Sequence, residues 1–240
     1  MDIRNKTALI TGGSDGIGLE IARLMRAKGA TVIICGRREA PLAAARAEGI
    51  EAICADLSTA EGCAQLVNAM GDRPIDILVN NAGMSGNFGP GEQLDLALTD
   101  RAIFLNLNAP MHLIGLLLPR LLNRPEAMIV NVTSGLAIAP RAGGPVYCAS
   151  KAGLRSFTQS LRHNLRDTKV HVLEALPPVV DTAMTRGRIN GRKMSAPDCA
   201  AEIVDAMEAN AAEANVGMVK LLRLVYSLSP ALARRVMIKY

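Results

Sequence analysis

The chain has 240 residues, of which 50% are hydrophobic, 20% charged and only 2% aromatic, and its formal net charge is +5. This composition excludes a disordered chain and is sufficient for a sizeable core of Ala, Leu, Ile and Val. A modest positive charge with so few aromatic side chains is not typical of nucleic-acid-binding proteins, so no nucleic-acid partner is expected.

The first half of the chain alternates short apolar runs with longer helical patterns. Buried strands are predicted at residues 7–11, 31–35, 51–55 and 75–79, and helices at about 17–28, 39–48 and 59–70. Cys35 and Cys54 fall within two of these strands, which predicts that both are buried. Continuous apolar strands that alternate with helices favour a parallel sheet covered on both faces.

The second half continues this alternation. It predicts a long helix at about 95–122, a strand at 128–132, a helix at about 146–166 and a strand at 170–175. No linker rich in Pro, Gly or Ser divides the chain. We therefore predict an α/β fold in a single domain over residues 1–240, a doubly wound parallel sheet flanked by helices, with a basic and apolar helical extension at about 219–240.

The N-terminus and the cysteines indicate the cellular setting. The chain opens with a charged lead, so no signal peptide is expected, and without a run of 18 apolar residues no membrane-spanning helix is expected. The five cysteines are scattered and lack metal-ligand spacing, so neither a metal site nor disulfides are expected. We expect a reducing, cytoplasmic compartment.

Three glycines lie between the first strand and the first helix. Gly12 permits a tight turn, Gly16 lets the backbone approach a pyrophosphate, and Gly18 allows close helix packing. The N-terminus of the helix offers free N–H groups and the positive end of its dipole to phosphates. This context predicts a dinucleotide site, and the alternative is a glycine-rich turn without a ligand.

Ordered motifs then identify a family. Residues 11–18 read TGGSDGIG, residues 80–83 read NNAG, and Ser134 precedes YCASK at 147–151. In order and spacing these motifs resemble the short-chain dehydrogenase/reductase family over most of the chain. The resemblance implies a Rossmann-type fold, a nicotinamide cofactor and a homodimer or homotetramer. By the same resemblance, the residues implied to contact the cofactor are Gly12, Ser14, Asp15, Gly16, Ile17, Arg37, Arg38, Asp56, Leu57, Asn81, Ala82, Gly83, Tyr147, Lys151, Pro177, Val180 and Thr182.

The end of the second strand bears on the choice of nicotinamide. Gly36 stands where NAD-preferring members of the family place an acid for the ribose 2′-hydroxyl, and Arg37 and Arg38 follow. A guanidinium suits a 2′-phosphate, so NADP(H) is favoured over NAD(H), although both arginines could instead be solvated charges at a helix start. Asp15 counts against NADP(H), because many NADP-preferring relatives carry a basic residue there. By resemblance Asp56 contacts the adenine, and the alternative is a helix N-cap.

A tyrosine and a lysine form the predicted proton-transfer centre. Reducing a ketone builds negative charge on its oxygen, which then needs a proton donor and a polarising hydrogen bond. Lys151 lies one helical turn after Tyr147, on the same face, and would stabilise a phenolate. The resemblance implies that Tyr147 is the general acid/base, that Lys151 also holds the nicotinamide ribose, that Ser134 hydrogen-bonds the substrate oxygen, and that Asn106 anchors a proton-relay water. Each has a purely structural alternative, but the ordered set favours catalysis.

The expected substrate pocket comes from residues 84–96, 136–146 and 183–195, whose Leu, Ile, Met and Ala suggest an apolar substrate body. Pro178 replaces a family glycine after the sixth strand and should stiffen that segment. The basic stretch at 184–194 either recognises a carboxylate, a CoA phosphate or a carrier-linked phosphopantetheine arm, or is a solvated mobile loop.

The C-terminal extension is apolar and basic. This pattern fits a membrane-surface helix, a cover over the pocket or a contact with a partner subunit, and packing is favoured. Pro230 after Ser229 predicts the start of a new short helix. Together these features predict an NADP(H)-dependent oxidoreductase, a ketoreductase for an apolar or acyl-type substrate. The alternatives are a catalytically silent dinucleotide sensor, against which the intact Ser134, Tyr147 and Lys151 argue, and a membrane-surface regulatory protein.

Overall fold

The computed structural model describes residues 1–86, 93–187 and 193–239. Its strands are β1 (Thr7–Thr11), β2 (Thr31–Gly36), β3 (Glu51–Cys54), β4 (Ile77–Asn80), β5 (Ala127–Val132), β6 (Val170–Leu176) and β7 (Glu213–Asn215). Its helices are α1 (Gly16–Ala27), α2 (Glu39–Ala47), α3 (Ala60–Ala69), α4 (Leu96–Ile103), α5 (Ala109–Leu122), α6 (Pro145–Asn164), α7 (Ala196–Glu208), α8 (Val219–Leu228) and α9 (Pro230–Met237).

The strands form one parallel sheet in the order β3-β2-β1-β4-β5-β6-β7. β1 pairs with β2 on one side and β4 on the other, so the order of the strands reverses at β1. The loops that follow β1 and β4 diverge at this switch point and open a crevice for a ligand. The predicted doubly wound sheet is confirmed.

Alternate residues along each strand enter the two apolar layers on either face of the sheet. Ile10 and Ile34 pack into one layer, which α1, α2 and α7 cover. Leu9 and Ile33 pack into the other, which α3, α5 and α6 cover. Because both faces are buried, the strands carry apolar side chains at most positions, and this explains why they appear in the sequence as short apolar runs.

The long helix predicted at about 95–122 is interrupted. A π-helical turn, Phe104–Asn108, separates α4 from α5 and carries the predicted site residue Asn106. By length and composition alone, the run Leu96–Leu122 would suffice to cross a membrane. However, Leu113 and Leu117 are fully packed in the core, as in a helix that covers an α/β sheet.

Two predictions at the ends of the sheet are wrong or incomplete. Cys35 is buried as predicted, but Cys54 is exposed, because β3 is an edge strand whose last residue leaves the core. The three-residue strand β7 was not predicted, since Glu213–Asn215 contains no apolar run.

At the C-terminus, the predicted helix start at Pro230 is confirmed, and the Ser229 hydroxyl accepts from the backbone N–H of Leu232 at 3.3 Å.

Candidate active site

The predicted site segments follow the carboxyl ends of adjacent strands. The glycine turn follows β1, the arginine pair follows β2, Asp56 follows β3, the NNAG motif ends β4, Ser134 follows β5 and Pro177 follows β6. All these strands are parallel, so their carboxyl ends meet at one edge of the sheet. Segments that are far apart in the sequence thereby line one crevice.

The glycine turn is pressed against the end of β4. Gly12 and Gly16 have positive φ angles of 62° and 54°, which side chains other than glycine adopt only with strain. A Cβ atom on Gly12 would lie 2.8 Å from the Cα of Ala82, and one on Gly16 would lie 2.8 Å from Cγ2 of Thr182. A Cβ atom on Gly18 would overlap the side-chain amide of Asn81. The glycine turn therefore lies in close contact with the NNAG motif and with Thr182, and the three segments form a narrow groove.

Hydrogen bonds of Thr11 and Asn81 fix the position of the glycine turn relative to the NNAG motif. The Thr11 hydroxyl accepts from the backbone N–H groups of Asn81 and Ala82, both at 3.0 Å. In return, the Asn81 amide donates to the carbonyls of Thr11 (3.0 Å) and Gly12 (3.2 Å). No role was predicted for Thr11 from the sequence. Its position as the first residue of the TGxxxGxG motif could have indicated that it belongs to the site.

The N-terminus of α1 faces the arginine pair. Asp15 caps the helix, and its carboxylate accepts from the backbone N–H of Gly16 at 2.7 Å. The second carboxylate oxygen lies 3.9 Å from the guanidinium of Arg38, so the acid that counted against NADP(H) is next to a positive charge. A Cβ atom on Gly36 would lie 2.6 Å from the Ser14 hydroxyl, so a carboxylate at that position would displace Ser14.

Asp56 is exposed at the same edge of the sheet. Partial burial acts to raise the pKa of its carboxyl, but hydrogen bonds from Ser58 and the charges of Arg37 and Arg101 lower it below its usual value. The guanidinium of Arg101 lies 3.7 Å from the carboxylate, a contact that the sequence analysis missed. Three arginines, Arg37, Arg38 and Arg101, thus surround two carboxylates at the predicted adenosine end of the crevice.

The alternative assignment of Asp56 as a helix N-cap is wrong. Thr59 caps α3, and its hydroxyl accepts from the backbone N–H of Gly62 at 3.1 Å. Asp56 instead accepts from the backbone N–H of Ser58 at 3.0 Å in a local turn. Its second oxygen points to Arg101 and stays accessible, as contact with an adenine amine would require.

Several predicted cofactor residues can offer only backbone atoms to a ligand. The side chains of Leu57 and Val180 are buried in the two core layers. Pro177 accepts from the backbone N–H of Gly135 at 3.0 Å, which fixes the segment after β6 beside the segment after β5. Ile17, in the first turn of α1, is partly buried against the core.

The centre of the site lies where β5 meets α6. The Ser134 hydroxyl is buried, and it is close enough to the half-buried Tyr147 phenol to lower the pKa of the phenol by hydrogen bonding. The Lys151 ammonium lies 5.8 Å from the centre of the Tyr147 ring and donates to the carbonyl of Val132 at 2.8 Å. The predicted Tyr147, Lys151 and Ser134 are therefore brought together in one cluster, in which Ser134 and Lys151 are buried and Tyr147 is half-buried.

Burial shifts both ionisable groups of this cluster toward their neutral forms. It raises the pKa of Tyr147 to about 12, with the Ser134 hydrogen bond acting in the opposite direction. It lowers the pKa of Lys151 to about 8, because an ammonium loses solvation inside the protein. In this structure the phenol is thus a proton donor at neutral pH.

Asn106 supports the cluster from the π-helical turn. Its side-chain oxygen accepts from the backbone N–H of Met84 at 2.9 Å, and its amide donates to the Met84 carbonyl (2.9 Å) and the Ser150 hydroxyl (3.0 Å). Both amide hydrogens are therefore used within the protein. The predicted anchoring of a relay water is therefore not available from these two hydrogens, and Asn106 lies in a π turn of the kind often found at functional sites. A Cβ atom on Gly83 would lie 3.0 Å from the Asn106 oxygen and 3.7 Å from the Lys151 ammonium, which explains the glycine in NNAG.

A chain of buried polar side chains joins β4, β5 and α6 behind the cluster. The Asn80 amide donates to the Asn131 oxygen at 2.9 Å, and the Asn131 amide donates to the Thr158 hydroxyl at 2.9 Å. Asn131 and Thr158 were not predicted from the sequence to support the site. Asn131 could have been recognised, because it is a polar residue within an otherwise apolar buried strand.

A buried ion pair lies beside this chain. Glu174 on β6 is fully buried, and its carboxylate accepts from the Thr133 hydroxyl at 2.8 Å and pairs with the Arg155 guanidinium at 2.8 Å. Arg155 also reaches Glu213 on β7 at 3.3 Å. Because Thr133 directly precedes Ser134, this network supports the segment that carries the predicted substrate hydroxyl contact.

The predicted substrate segments are described only in part. Residues 87–92 of the first segment and Arg188, Gly191 and Arg192 of the basic stretch lie outside the described residues. Lys193 is described, and its ammonium donates to the Thr185 carbonyl at 2.8 Å. Lys193 therefore links the end of the basic stretch to Thr185, near its beginning, by a hydrogen bond. This role was not predicted from the sequence.

Comparison with known proteins places this geometry in a family. A family model described as short chain dehydrogenase matches residues 6–193. The "uncharacterized oxidoreductase DltE" of Bacillus subtilis is 46% identical over 194 residues, which cover 78% of this chain and 76% of that protein.

Solved structures share the fold across the whole length. A short chain dehydrogenase from Burkholderia cenocepacia in complex with NADP superposes with a TM-score of 0.89 at 22% identity, covering 100% of both chains. The 3-ketoacyl-(acyl-carrier-protein) reductase from Brucella melitensis, complexed with NADH, gives 0.82 at 26% identity, covering 88% of this chain and 96% of that one. The resemblance inferred from the motifs is confirmed: this chain belongs to the short-chain dehydrogenase/reductase family, oxidoreductases that interconvert alcohols and carbonyl groups.

Proposed function

We propose that the protein is an NADP(H)-dependent ketoreductase in which Tyr147 is the general acid/base. One observation carries the proposal. The half-buried Tyr147 phenol interacts with the buried Ser134 hydroxyl next to the buried Lys151 ammonium, at the edge of the sheet where the glycine turn lies. A silent sensor would need the turn but not this group of three side chains.

The chain's own residues fit a nicotinamide dinucleotide. Gly12 and Gly16 keep the turn free of side chains, and the first turn of α1 directs backbone N–H groups toward a pyrophosphate. Arg37 and Asp56 lie at the adenosine end of the crevice, and Lys151 lies at the opposite end beside Tyr147. When bound, the dinucleotide supplies or accepts the hydride.

The proton transfer is carried out by Tyr147, with Ser134 and Lys151 in support. In the reductive direction the carbonyl oxygen gains negative charge, and the Tyr147 hydroxyl donates its proton to that oxygen while Ser134 donates a hydrogen bond. The proton lost from Tyr147 leaves a phenolate, which the nearby Lys151 ammonium stabilises. Asn106 acts as a positioning residue, because its side chain fixes Met84 and Ser150 rather than the substrate.

We expect carbonyl reduction to weaken as the pH rises above about 8. Tyr147, with a pKa of about 12, stays protonated over this range, whereas Lys151, with a pKa of about 8, loses its charge. The pH profile of kcat/KM for the dinucleotide, which reports ionisations of the free enzyme, should be flat at neutral pH and descend above about 8. In Lys151→Arg this descending limb should disappear from whatever activity is retained. A wild-type profile that stays flat well above pH 8 would remove Lys151 from this role.

The arginine pair supports NADP(H) as the preferred cofactor. Arg37 and Arg38 are exposed directly after β2, and Gly36 leaves no acid to compete with a 2′-phosphate. Arg37→Ala should raise the KM for NADPH about 10- to 100-fold, as the loss of a charge-assisted hydrogen bond predicts, and leave the KM for NADH nearly unchanged. Arg166→Ala, an exposed arginine beyond the end of α6, is the matched control. An equal loss with both cofactors would count against 2′-phosphate recognition.

The substrate body is proposed to be apolar or acyl-type, with carboxylate-, CoA- or carrier-linked forms included. The likeness to a 3-ketoacyl-(acyl-carrier-protein) reductase supports an acyl-type ketone. A panel of ketones, aldehydes and 3-oxoacyl thioesters, followed at the NADPH absorbance band, tests this proposal. Turnover confined to such carbonyls supports it, and retained NADPH binding without turnover on any of them would favour a silent sensor.

The proposal includes a cytoplasmic homodimer or homotetramer. The five cysteines are all free thiols, which supports a reducing compartment. Family membership supports the oligomer. Light scattering of the purified chain gives its subunit number directly.

A further inference from the structure

Helix α8 has two apolar faces. Val219, Leu222 and Tyr226, spaced at i, i+3 and i+7, pack on Ile138 and Leu176. The packed position that the sequence favoured is therefore confirmed for this face. A helix that covers a domain needs only one such face.

The second face of α8 points to solvent. Leu221, Leu224 and Leu228 repeat the same spacing and are 52%, 56% and 79% exposed. Leu232 and Val236, one turn apart on α9, are also more than half exposed. Isolated exposed leucines are ordinary, but a run of five on two adjoining helices marks an interaction surface. We call α8 and α9 together the C-terminal hairpin.

The two helices form one unit. They pack against each other, and the guanidinium of Arg234 on α9 stacks over the Tyr226 ring and donates to its hydroxyl at 3.3 Å. Ala233 is buried on the inner side of α9. The exposed apolar side chains are thus held on a folded element.

The charge of the chain is concentrated in this hairpin. The last 22 residues contain five of the 27 basic residues and none of the 22 acidic ones, so the first 218 residues carry 22 charges of each sign. A charge equal to the whole net charge of +5 therefore resides in the last 22 residues, with four of the five basic residues in the C-terminal hairpin and Lys239 just after it. Lys220 and Arg223 form ion pairs with Glu202 and Glu213, while Arg235 and Lys239 are exposed beside the apolar side chains of α9.

The combination of exposed apolar side chains and positive charge indicates which kind of partner binds the C-terminal hairpin. A second copy of the chain would bring the exposed Arg235 and Lys239 of both copies together across a symmetric contact, which costs electrostatic energy. An anionic lipid surface satisfies both features, because it takes up apolar side chains and attracts Lys and Arg.

The buried face of α8 places the hairpin next to the candidate active site. A Cβ atom on Gly135 would lie 2.9 Å from Val219, and Gly135 directly follows Ser134. A surface bound by the hairpin is therefore near the segment that carries Ser134. From these observations we propose that the C-terminal hairpin binds the surface of an anionic membrane and seats the active site beside it, as suits an enzyme for membrane-soluble carbonyl compounds.

Vesicle flotation with the full-length chain tests the proposal without any measurement of activity. The protein should float with vesicles of phosphatidylcholine and phosphatidylglycerol, bind much more weakly to phosphatidylcholine alone, and be released by salt. Leu224→Ser/Leu228→Ser should abolish flotation. Arg235→Gln/Lys239→Gln should weaken it about 30-fold, or about 5-fold for each charge.

Leu122→Ser, which alters an exposed leucine at the end of α5, is the matched control and should float like the wild-type chain. Circular dichroism and light scattering of each variant establish that fold and subunit number are retained. Absence of wild-type flotation on the anionic vesicles would overturn the proposal. So would a fall in subunit number on Leu224→Ser/Leu228→Ser, because a second copy would then cover this face.

Discussion

Tyr147→Phe is expected to lower kcat for carbonyl reduction by about 10²- to 10⁴-fold, the usual contribution of a positioned general acid. NADPH affinity should be nearly unchanged, because the ring stays and only the hydroxyl is lost. Steady-state turnover and a titration of NADPH fluorescence separate the two effects. This variant tests whether the half-buried phenol is the proton donor.

The structural consequences of that substitution should be small. The phenol's hydrogen bond is with Ser134, a hydroxyl that also accepts from the backbone N–H of Leu136 at 3.1 Å and so keeps a partner. Tyr226→Phe is the matched control, because its hydroxyl faces Arg234 on the C-terminal hairpin, away from the Ser134 hydroxyl. Wild-type turnover by Tyr147→Phe would refute the proposed mechanism, and equal losses in both variants would point to folding rather than proton transfer.

The sequence could predict the parts of this fold that depend on local patterns. Six of the seven strands are predominantly apolar and were predicted, because a parallel sheet is buried on both faces. The glycine turn and the Tyr147–Lys151 spacing are likewise local, since each depends on residues within one turn or one helix. The residues implied by resemblance fall at the correct edge of the sheet for the same reason: each follows a predicted strand.

Features that depend on distant partners could not be predicted in this way. Cys54, like Cys35, follows an isoleucine in a short apolar run, but only the strand order shows that it lies on an edge. The periodicity of α8 shows that it is apolar on two faces, but the partners Ile138 and Leu176 decide which face is buried. The π-helical turn at Asn106 depends on contacts with Met84 and Ser150, 22 and 44 residues away.

The buried ion pair between Arg155 and Glu174 is a further contact between separate elements, and it yields the second prediction. Arg155→Met should lower the free energy of unfolding by about 3–5 kcal/mol, because it leaves a fully buried carboxylate with Thr133 as its remaining partner. This is a large part of the typical stability of a folded domain. Urea unfolding at neutral pH measures the loss. The matched control is Arg166→Met, whose arginine pairs with Asp167 in solvent and should change stability by less than about 1 kcal/mol.

The pH dependence of Arg155→Met distinguishes loss of charge pairing from loss of packing. Burial already raises the pKa of Glu174 in the wild-type chain, with Arg155 acting to lower it, so removing Arg155 should raise it further. A carboxyl with a raised folded-state pKa destabilises the protein only while ionised, so the deficit should shrink as the pH falls through that pKa. For the same reason, Arg155→Met/Glu174→Gln should recover most of the loss at neutral pH, since an amide can be buried without a counter-charge and still accept from Thr133. A deficit that is constant with pH and unrelieved in the double variant would show that Arg155 acts through its packing on β6 and β7, not through its charge.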